Sequence, residues 1–265
     1  MLPQQRQALI LERIRDSGAV RVSDLAREFD VSEMTVRRDL DLLEERGLLE
    51  KVHGGATLLD AGTAFEPSFA SKATRNTAEK LHIGRAAAAL VSPGQAVALS
   101  AGTTTFQVAR FLRDVPGLTV VTNSVQVAEE LHHNRTGDQT VILTGGVRTP
   151  SDALVGPFTV AALRHIHVDI VFLGVHGMDL DAGFTTPNML EAEANRALIR
   201  AGRRLAVVAD HSKWGVVGIA TMAAIEDAAV LVTDRGLSQD ALGPLRERID
   251  DVIVTDPTTL ATEVS

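Results

Sequence analysis

The chain has 265 residues, 45 % of them apolar, and a formal net charge of −8. This is enough for one small and one ordinary domain, each with its own core, and it excludes global disorder. The absence of cysteine excludes disulfides and thiolate metal sites and fits a reducing compartment. Met1–Ile10 has no signal-peptide core and no apolar run approaches the ~20 residues needed to span a bilayer, so a cytoplasmic protein is expected.

In chain order, Leu9, Ile10 and Ile14 line one side of a first helix that ends near Gly18. Ser23 is placed to cap a second helix with Leu25, Ala26 and Phe29 as its apolar face. A turn at Asp30-Val31 leads to Ser32, the expected cap of a third helix. There Val36, Leu40 and Leu43 recur at i, i+4 and i+7 as a buried stripe, while Met34, Arg38 and Asp41 fall on the opposite face, flanked by Thr35 and Arg37. Two helices joined by a tight turn, the second opening on polar and arginine residues, have the layout of a helix-turn-helix, whose second helix enters the major groove by its N-terminal end. Ser32, Met34, Thr35, Arg37 and Arg38 are therefore the expected DNA-facing residues. One arginine would fork onto guanine and the other hold a phosphate; the spacing leaves open which does which.

The stretch Leu48–Ala56 reads as two short strands, a wing from which Lys51 and His53 would reach the DNA backbone. Residues 1–58 hold nine Arg and Lys against eleven Asp and Glu. That balance runs against a nucleic-acid surface, so contact must come from a local cluster, and weak non-specific affinity should follow. A winged helix that contacts only protein is the competing reading, and Arg46 reads as a solvated charge in the last helical turn.

Residues 1–58 are thus assigned to a winged helix-turn-helix domain, 59–77 to a linker containing Gly62 and Pro67, and 78–265 to an α/β domain. Seven short apolar blocks mark strands in the last part: Ala96–Leu99, Leu118–Thr122, Thr140–Leu143, Ile170–Leu173, Leu205–Ala209, Ala229–Thr233 and Val252–Thr255. Helical stretches are expected at Ala78–Val91, Thr104–Arg113, Val125–His132, Pro157–Arg164, Leu190–Ala201 and Gln239–Ile249. Blocks apolar on both faces and alternating with helices predict an open, mainly parallel sheet with helices on both faces.

Polar segments follow these strands: Ser100–Thr105, Thr122-Asn123-Ser124, Thr144-Gly145-Gly146 with Arg148, Gly174–Gly177, and Asp210–Lys213. In a parallel sheet all emerge at the carboxyl ends of the strands, the edge where open α/β folds bind ligands. Gly102 would let the backbone approach a ligand, and Thr103, Thr104 and Thr105 open a helix whose free N–H groups favour an anion. Ser124 opens another helix. Lys213 supplies a point charge and Arg148 a planar fork. Glu191, near the start of the helix after Pro187-Asn188, can accept hydrogen bonds from sugar hydroxyls. The set suits a small, hydroxyl-rich, phosphorylated molecule. Taken singly, each element also reads as an ordinary capped turn, a first-turn acid or, for His176, a structural histidine.

Val31-Ser32-Glu33-Met34-Thr35-Val36-Arg37-Arg38-Asp39-Leu40 and His53-Gly54-Gly55-Ala56 resemble the recognition segment and domain end of DeoR-type bacterial regulators. Valine stands where the family's usual isoleucine would be at Val36, and Met34 occupies a variable position. The resemblance continues through Gly102–Thr105, Thr122-Asn123-Ser124, Gly145-Gly146 and Asp210–Lys213, which look like that family's sugar-phosphate sensor motifs. It implies a sensor domain similar in fold to ribose-5-phosphate isomerases. It further implies a repressor of carbohydrate genes, relieved by a phosphorylated sugar, with operator DNA and a second copy of the chain as partners and no cofactor. Gly102, Thr103, Thr104, Thr105, Asn123, Ser124, Gly145, Gly146, Arg148, Lys213 and, by a weaker match, His176 and Glu191 are the expected effector contacts.

The rival is an isomerase-like enzyme with an appended head. Such isomerases use a carboxylate base and a nearby lysine after the middle strand; the stretch from His176 to Thr186 contains no lysine, so a developing enediolate would lose its electrostatic partner. Asp210-His211-Ser212 is not a triad, because consecutive side chains diverge. His132-His133 and His165-x-His167 lack a third ligand at metal spacing.

Overall fold

A computed structural model describes residues 2–46, 48–52, 54–57, 68–134 and 138–256. The chain divides into two compact units, Met1–Lys72 and Ala73–Ser265.

In the first unit, α1 (Pro3–Ser17) ends on Gly18, whose φ of 73° is the left-handed conformation that stops the helix. Strand β1 (Ala19–Arg21) leads into α2 (Val22–Phe29), and Asp30, at φ 52°, turns the chain toward α3 (Glu33–Glu45). Ser32 caps α3 by accepting from the Thr35 N–H at 3.2 Å. Strands β2 (Glu50–Val52) and β3 (Gly55–Thr57) form the wing, and β1 joins them in an antiparallel sheet of order β1-β3-β2. Ile10, Ile14, Leu25, Val36, Leu40 and Leu43 are buried together. Leu9, expected beside them, is instead exposed, because it falls on the rim of the α1 face. Ser23 does not cap α2 either: the helix opens earlier, on Arg21, with Val22 already buried in its first turn.

One polar contact pins α1 to α3. Asp39 is buried and accepts from Arg6 Nε at 2.5 Å and Gln7 Nε2 at 3.0 Å. Removing one member of such a set strands a buried charge.

The second unit holds a seven-stranded sheet of order β15-β14-β12-β9-β4-β5-β6, parallel throughout. Its strands are β4 (Ala96–Leu99), β5 (Thr119–Thr122), β6 (Thr140–Leu143), β9 (Val168–Gly174), β12 (Gly202–Val208), β14 (Val230–Asp234) and β15 (Asp251–Thr255). All seven expected blocks are strands of this one sheet. Successive residues point to opposite faces. Val171, Leu173, Leu205 and Val207 join one core cluster, and Ile170, Phe172, Ala206 and Val208 join the other. The first face is covered by α8 (Pro157–Leu163), α9 (Met189–Ala201) and α10 (Gln239–Arg248). The second is covered by α5 (Thr77–Ala88), α6 (Thr103–Leu112) and α7 (Val125–Asn134).

Short elements without a sequence signal complete the unit. The hairpin of β7 (Val147–Arg148) with β8 (Leu154–Val155) and the antiparallel sheet β10-β11-β13 (Gly177–Asp179, Gly183–Thr186 and Ala220–Ala223) sit beside the carboxyl ends of the main strands. A short helix, α4 (Phe69–Ala73), and two single-turn helices, His211–Lys213 and Ile225–Asp227, are also present. Gly146, at φ 127°, has no room for a side chain: a Cβ would lie 2.3 Å from Thr159 Oγ1 and 2.5 Å from the Val155 carbonyl oxygen.

Asp39→Ala should destabilise the first unit by ~3–5 kcal/mol, the cost of leaving a buried partner unpaired. Hydrogen exchange at the α1 and α3 amides should accelerate while the parallel sheet keeps its protection; unchanged exchange in α1 would contradict the role given to Asp39.

Candidate functional site

In the first unit, the N-terminal turn of α3 is open. Met34 is 75 % exposed, and Ser32, Arg37 and Arg38 are exposed with it. The two arginines differ. Arg37 Nη2 lies 3.2 Å from Glu33 Oε2, one helical turn back, whereas the Arg38 guanidinium makes no hydrogen bond or ion pair among the described residues. Thr35 is tied to the cap, its Oγ1 2.9 Å from Ser32 Oγ. On the wing, the Lys51 ammonium is paired with Asp41, a hydrogen bond that raises its pKa, and the Lys51 N–H donates to Glu44 Oε1 at 2.9 Å. His53 lies outside the described residues. Arg46, expected as a solvated charge, reaches Gln7 Oε1 at 3.5 Å.

In the second unit, parallel strands deliver every polar segment to one edge, where neighbouring segments are fastened to each other. Ser100 Oγ accepts from the Gly174 N–H at 2.9 Å. Asn123 is buried and spends both ends of its amide on backbone: Oδ1 accepts from the Ala101 N–H at 3.0 Å, and Nδ2 donates to the Leu154 carbonyl at 3.1 Å. Ser124 Oγ accepts from the Val127 N–H at 3.2 Å, capping α7. Asn123 and Ser124 thus hold the rim together through their side chains.

At the centre, α6 opens after Gly102. The N–H groups of Thr103, Thr104 and Thr105 have no acceptor among the described residues. Nor do the hydroxyls of Thr103 and Thr104 have a partner there, while Thr105 Oγ1 donates to the Gly102 carbonyl at 3.0 Å. Unsatisfied amides at the positive end of a ten-residue helix favour an anion.

On the same edge, after β12, the Lys213 side chain makes no hydrogen bond or ion pair among the described residues. Burial pushes its pKa down; the Asp210 charge opposes that shift and the Arg75 charge adds to it. Asp210 is fully buried. Burial pushes its carboxyl up, but Lys213, hydrogen bonds from Ser212 and Asn76, and the Lys80 charge outweigh it, so it titrates below the usual range. Its Oδ1 takes those hydrogen bonds, and its Oδ2 has no partner among the described residues. Arg75, whose pKa burial lowers, and the buried Lys80 complete a cationic group that the sequence reading did not assign. For Lys80 a signal existed: it shares the buried face of α5 with Ile83, Gly84 and Ala87, at i+3, i+4 and i+7.

Asp234, at the end of β14, was also missed. It is buried, accepts from the His211 and Gly236 N–H groups at 2.8 Å each, and takes the His211 ring Nδ1–H at 2.8 Å. His211 is thereby fixed in orientation.

The remaining expected contacts are partly engaged. Glu191 accepts from Thr149 Oγ1 at 2.7 Å and Thr186 Oγ1 at 3.4 Å. Arg148 is held by Asp152 at 2.7 Å. Gly145 presents its carbonyl to Thr159 Oγ1 at 2.6 Å, Gly146 packs under β8, and His176 donates its N–H to the Thr185 carbonyl at 3.1 Å. Asp179 accepts from the N–H groups of Ala182 and Asp181, at 2.9 Å each, which lowers its pKa.

Comparison with known proteins gives two family matches that divide the chain as the structure does: a DeoR-like helix-turn-helix domain over residues 6–61 and the DeoR C terminal sensor domain over residues 75–235. The transcriptional repressor AccR of Agrobacterium fabrum is 37 % identical over 88 % of this chain and 90 % of its own. The HTH-type transcriptional regulator GlpR of Haloferax volcanii is 36 % identical over 96 % of this chain and 97 % of its own. A ribose 5-phosphate isomerase A from Methanocaldococcus jannaschii is 15 % identical, over 51 % of this chain and 53 % of its own, with a TM-score of 0.38, a likeness too slight to bear on function. A helix-turn-helix head, a parallel sheet behind it in sequence, two family matches covering most of the chain and likeness to named regulators over nearly its whole length lead to one conclusion: the chain belongs to the DeoR family of transcriptional regulators.

Proposed function

We propose that the protein is a cytoplasmic repressor of carbohydrate genes whose operator binding is relieved when a phosphorylated sugar occupies the carboxyl edge of the parallel sheet. The observation that carries this reading is that one edge of the sheet carries both the unsatisfied amides at the start of α6 and the partly dehydrated ammonium of Lys213, neither with a side-chain or backbone partner among the described residues. The amides suit phosphate oxygens and the lysine a point charge. The open hydroxyls of Thr103 and Thr104 and the vacant acceptor Asp210 Oδ2 suit the hydroxyls of a sugar.

In the head, Arg38 is the base-reading arginine and Arg37, already paired with Glu33, serves the phosphate backbone together with Lys51 and residues Ser32, Met34 and Thr35. We assign the DNA-binding domain to residues 1–58, the linker to 59–77 and the effector domain to 78–265. An acidic head neutralises few phosphates, so two heads joined in a homo-oligomer supply the missing affinity. Effector and operator then couple as two sites on one molecule, with ~1–3 kcal/mol giving a 5–150-fold change in occupancy.

The test is a titration of sugar phosphates into the protein bound to its operator, read by DNA anisotropy and by the fluorescence of Trp214, the chain's one tryptophan and the neighbour of Lys213. At least one sugar phosphate should release DNA; release by none contradicts the reading. Lys213→Ala should leave DNA affinity unchanged and weaken the effector response at least ~10-fold, the loss of a charge-assisted contact. Arg38→Ala should weaken the operator complex by ~1–3 kcal/mol and leave effector binding alone. If both changes act alike, the two-site assignment fails.

Effector affinity should also depend on pH. It should rise as the phosphate takes its second charge near pH ~6 and fall on the alkaline side, where Lys213, with its pKa pushed down by burial, loses its proton earlier than an ordinary lysine. An affinity flat through the alkaline range would contradict a role for the Lys213 charge. No ketose–aldose turnover is expected, since Asp179 is committed to backbone amides and carries no raised pKa; steady conversion of a sugar phosphate would overturn that.

A further inference from the structure

The second unit begins at Ala73, and three residues on, Asn76 hydrogen-bonds to Asp210 at the candidate effector site. Asn76 is the N-cap of α5, and an N-cap asparagine ordinarily turns its side chain back onto its own helix. Here it makes no cap bond. Its Nδ2 donates instead to Asp210 Oδ1 at 2.7 Å, across 134 residues. The backbone of Asn76 is left-handed, φ 48° and ψ 45°, a conformation asparagine tolerates better than most residues but which still has a cost. A second tie sits one residue earlier: Lys80 Nζ donates to the Arg75 carbonyl at 2.6 Å.

The first tie ends on the Asp210 carboxylate and the second on one of the cations whose charge acts on it. Lys80 and Lys213 are the cations whose charge holds Asp210 ionised. A phosphate drawing on either lysine weakens that support, and an effector hydroxyl donating to the vacant Asp210 Oδ2 competes for the same carboxylate. The segment that carries the chain from the DNA-reading head into the sensor therefore hangs on the atoms that recognise the ligand.

We propose that Asn76 is the positioning residue that couples effector occupancy to the DNA-binding head, through its hydrogen bond to Asp210. The proposal rests on the anion-binding reading of the sheet edge given above. It needs no direct contact between Asn76 and the ligand: the ligand redistributes hydrogen bonds on Asp210, and Asn76 transmits the change to the chain leading back to α4.

The test separates binding from coupling. Inorganic phosphate is the probe. Its dissociation constant is measured by Trp214 fluorescence with and without saturating operator duplex, obtained by binding selection. The ratio of the two constants is the coupling, which by linkage is the same whichever ligand is varied. In the wild type the ratio should be at least ~5. Asn76→Gly keeps the left-handed backbone at no steric cost and removes the amide, so it should fold, bind phosphate in the absence of DNA about as the wild type does, and show a ratio near one. A wild-type ratio in Asn76→Gly overturns the proposal, as does loss of phosphate binding itself, which would place Asn76 in the site. If the wild type binds no phosphate at the sheet edge, the failure lies in the underlying reading of the site, and the proposal falls with it.

Discussion

Parallel pairing along the whole main sheet is the constraint from which the rest of this molecule follows. A parallel strand cannot turn directly into its neighbour; each must be followed by a crossover that returns the chain to the starting edge. Seven parallel strands thus hand over at one edge, and polar residues following them are gathered there whatever their separation in sequence. The threonines after β4, the asparagine after β5 and the aspartate and lysine after β12 come to the same edge for this reason. The same arrangement sets helix N-termini against that edge, so free amides and their positive potential come with the topology. What remains to the sequence is which side chains stand at those handover points.

The rim divides its polar groups between two tasks. Asn123, Ser124, Ser100 and Glu191 spend theirs on neighbouring loops, which fixes the edge before any ligand arrives. The amides of α6, the hydroxyls of Thr103 and Thr104, the Lys213 ammonium and Asp210 Oδ2 are left without partners among the described residues. Unsatisfied groups in a half-dry site are costly to the folded protein. Their concentration on one edge, next to a set of fully used ones, is what separates a binding surface from an ordinary set of capped turns.

Much of this was legible beforehand. Seven apolar blocks became the seven strands: the central ones are buried on both faces and carry a continuous run that length alone separates from a helix, while the edge strands β6 and β15 carry a similar run although they are exposed or half-buried. The third helix was readable from its cap and its stripe, Ser32 with Val36, Leu40 and Leu43. The misses were local or long-range. Strands of two to four residues such as β1, β7 and β10 are too short to show a period. Leu9 satisfies the periodicity and yet lies exposed, and α2 opens on Arg21 because burial of Val22 outweighs the capping preference of Ser23. Residue type did not reveal that Asn123 would be consumed by the loops or that Arg37 and Arg38 would differ. Asn76, Lys80 and Asp234 join the edge through contacts distant in sequence, although the helical period already put Lys80 on the buried side of α5.

The central claim, that one edge of the sheet binds a phosphorylated sugar, is tested most directly by a crystal structure of the full chain with the sugar phosphate that releases its operator. The account predicts phosphate oxygens within hydrogen-bond distance of the Thr103 and Thr104 amides and the Lys213 ammonium, with a sugar hydroxyl on Asp210. A ligand seated elsewhere, with these groups still unpartnered, would contradict it.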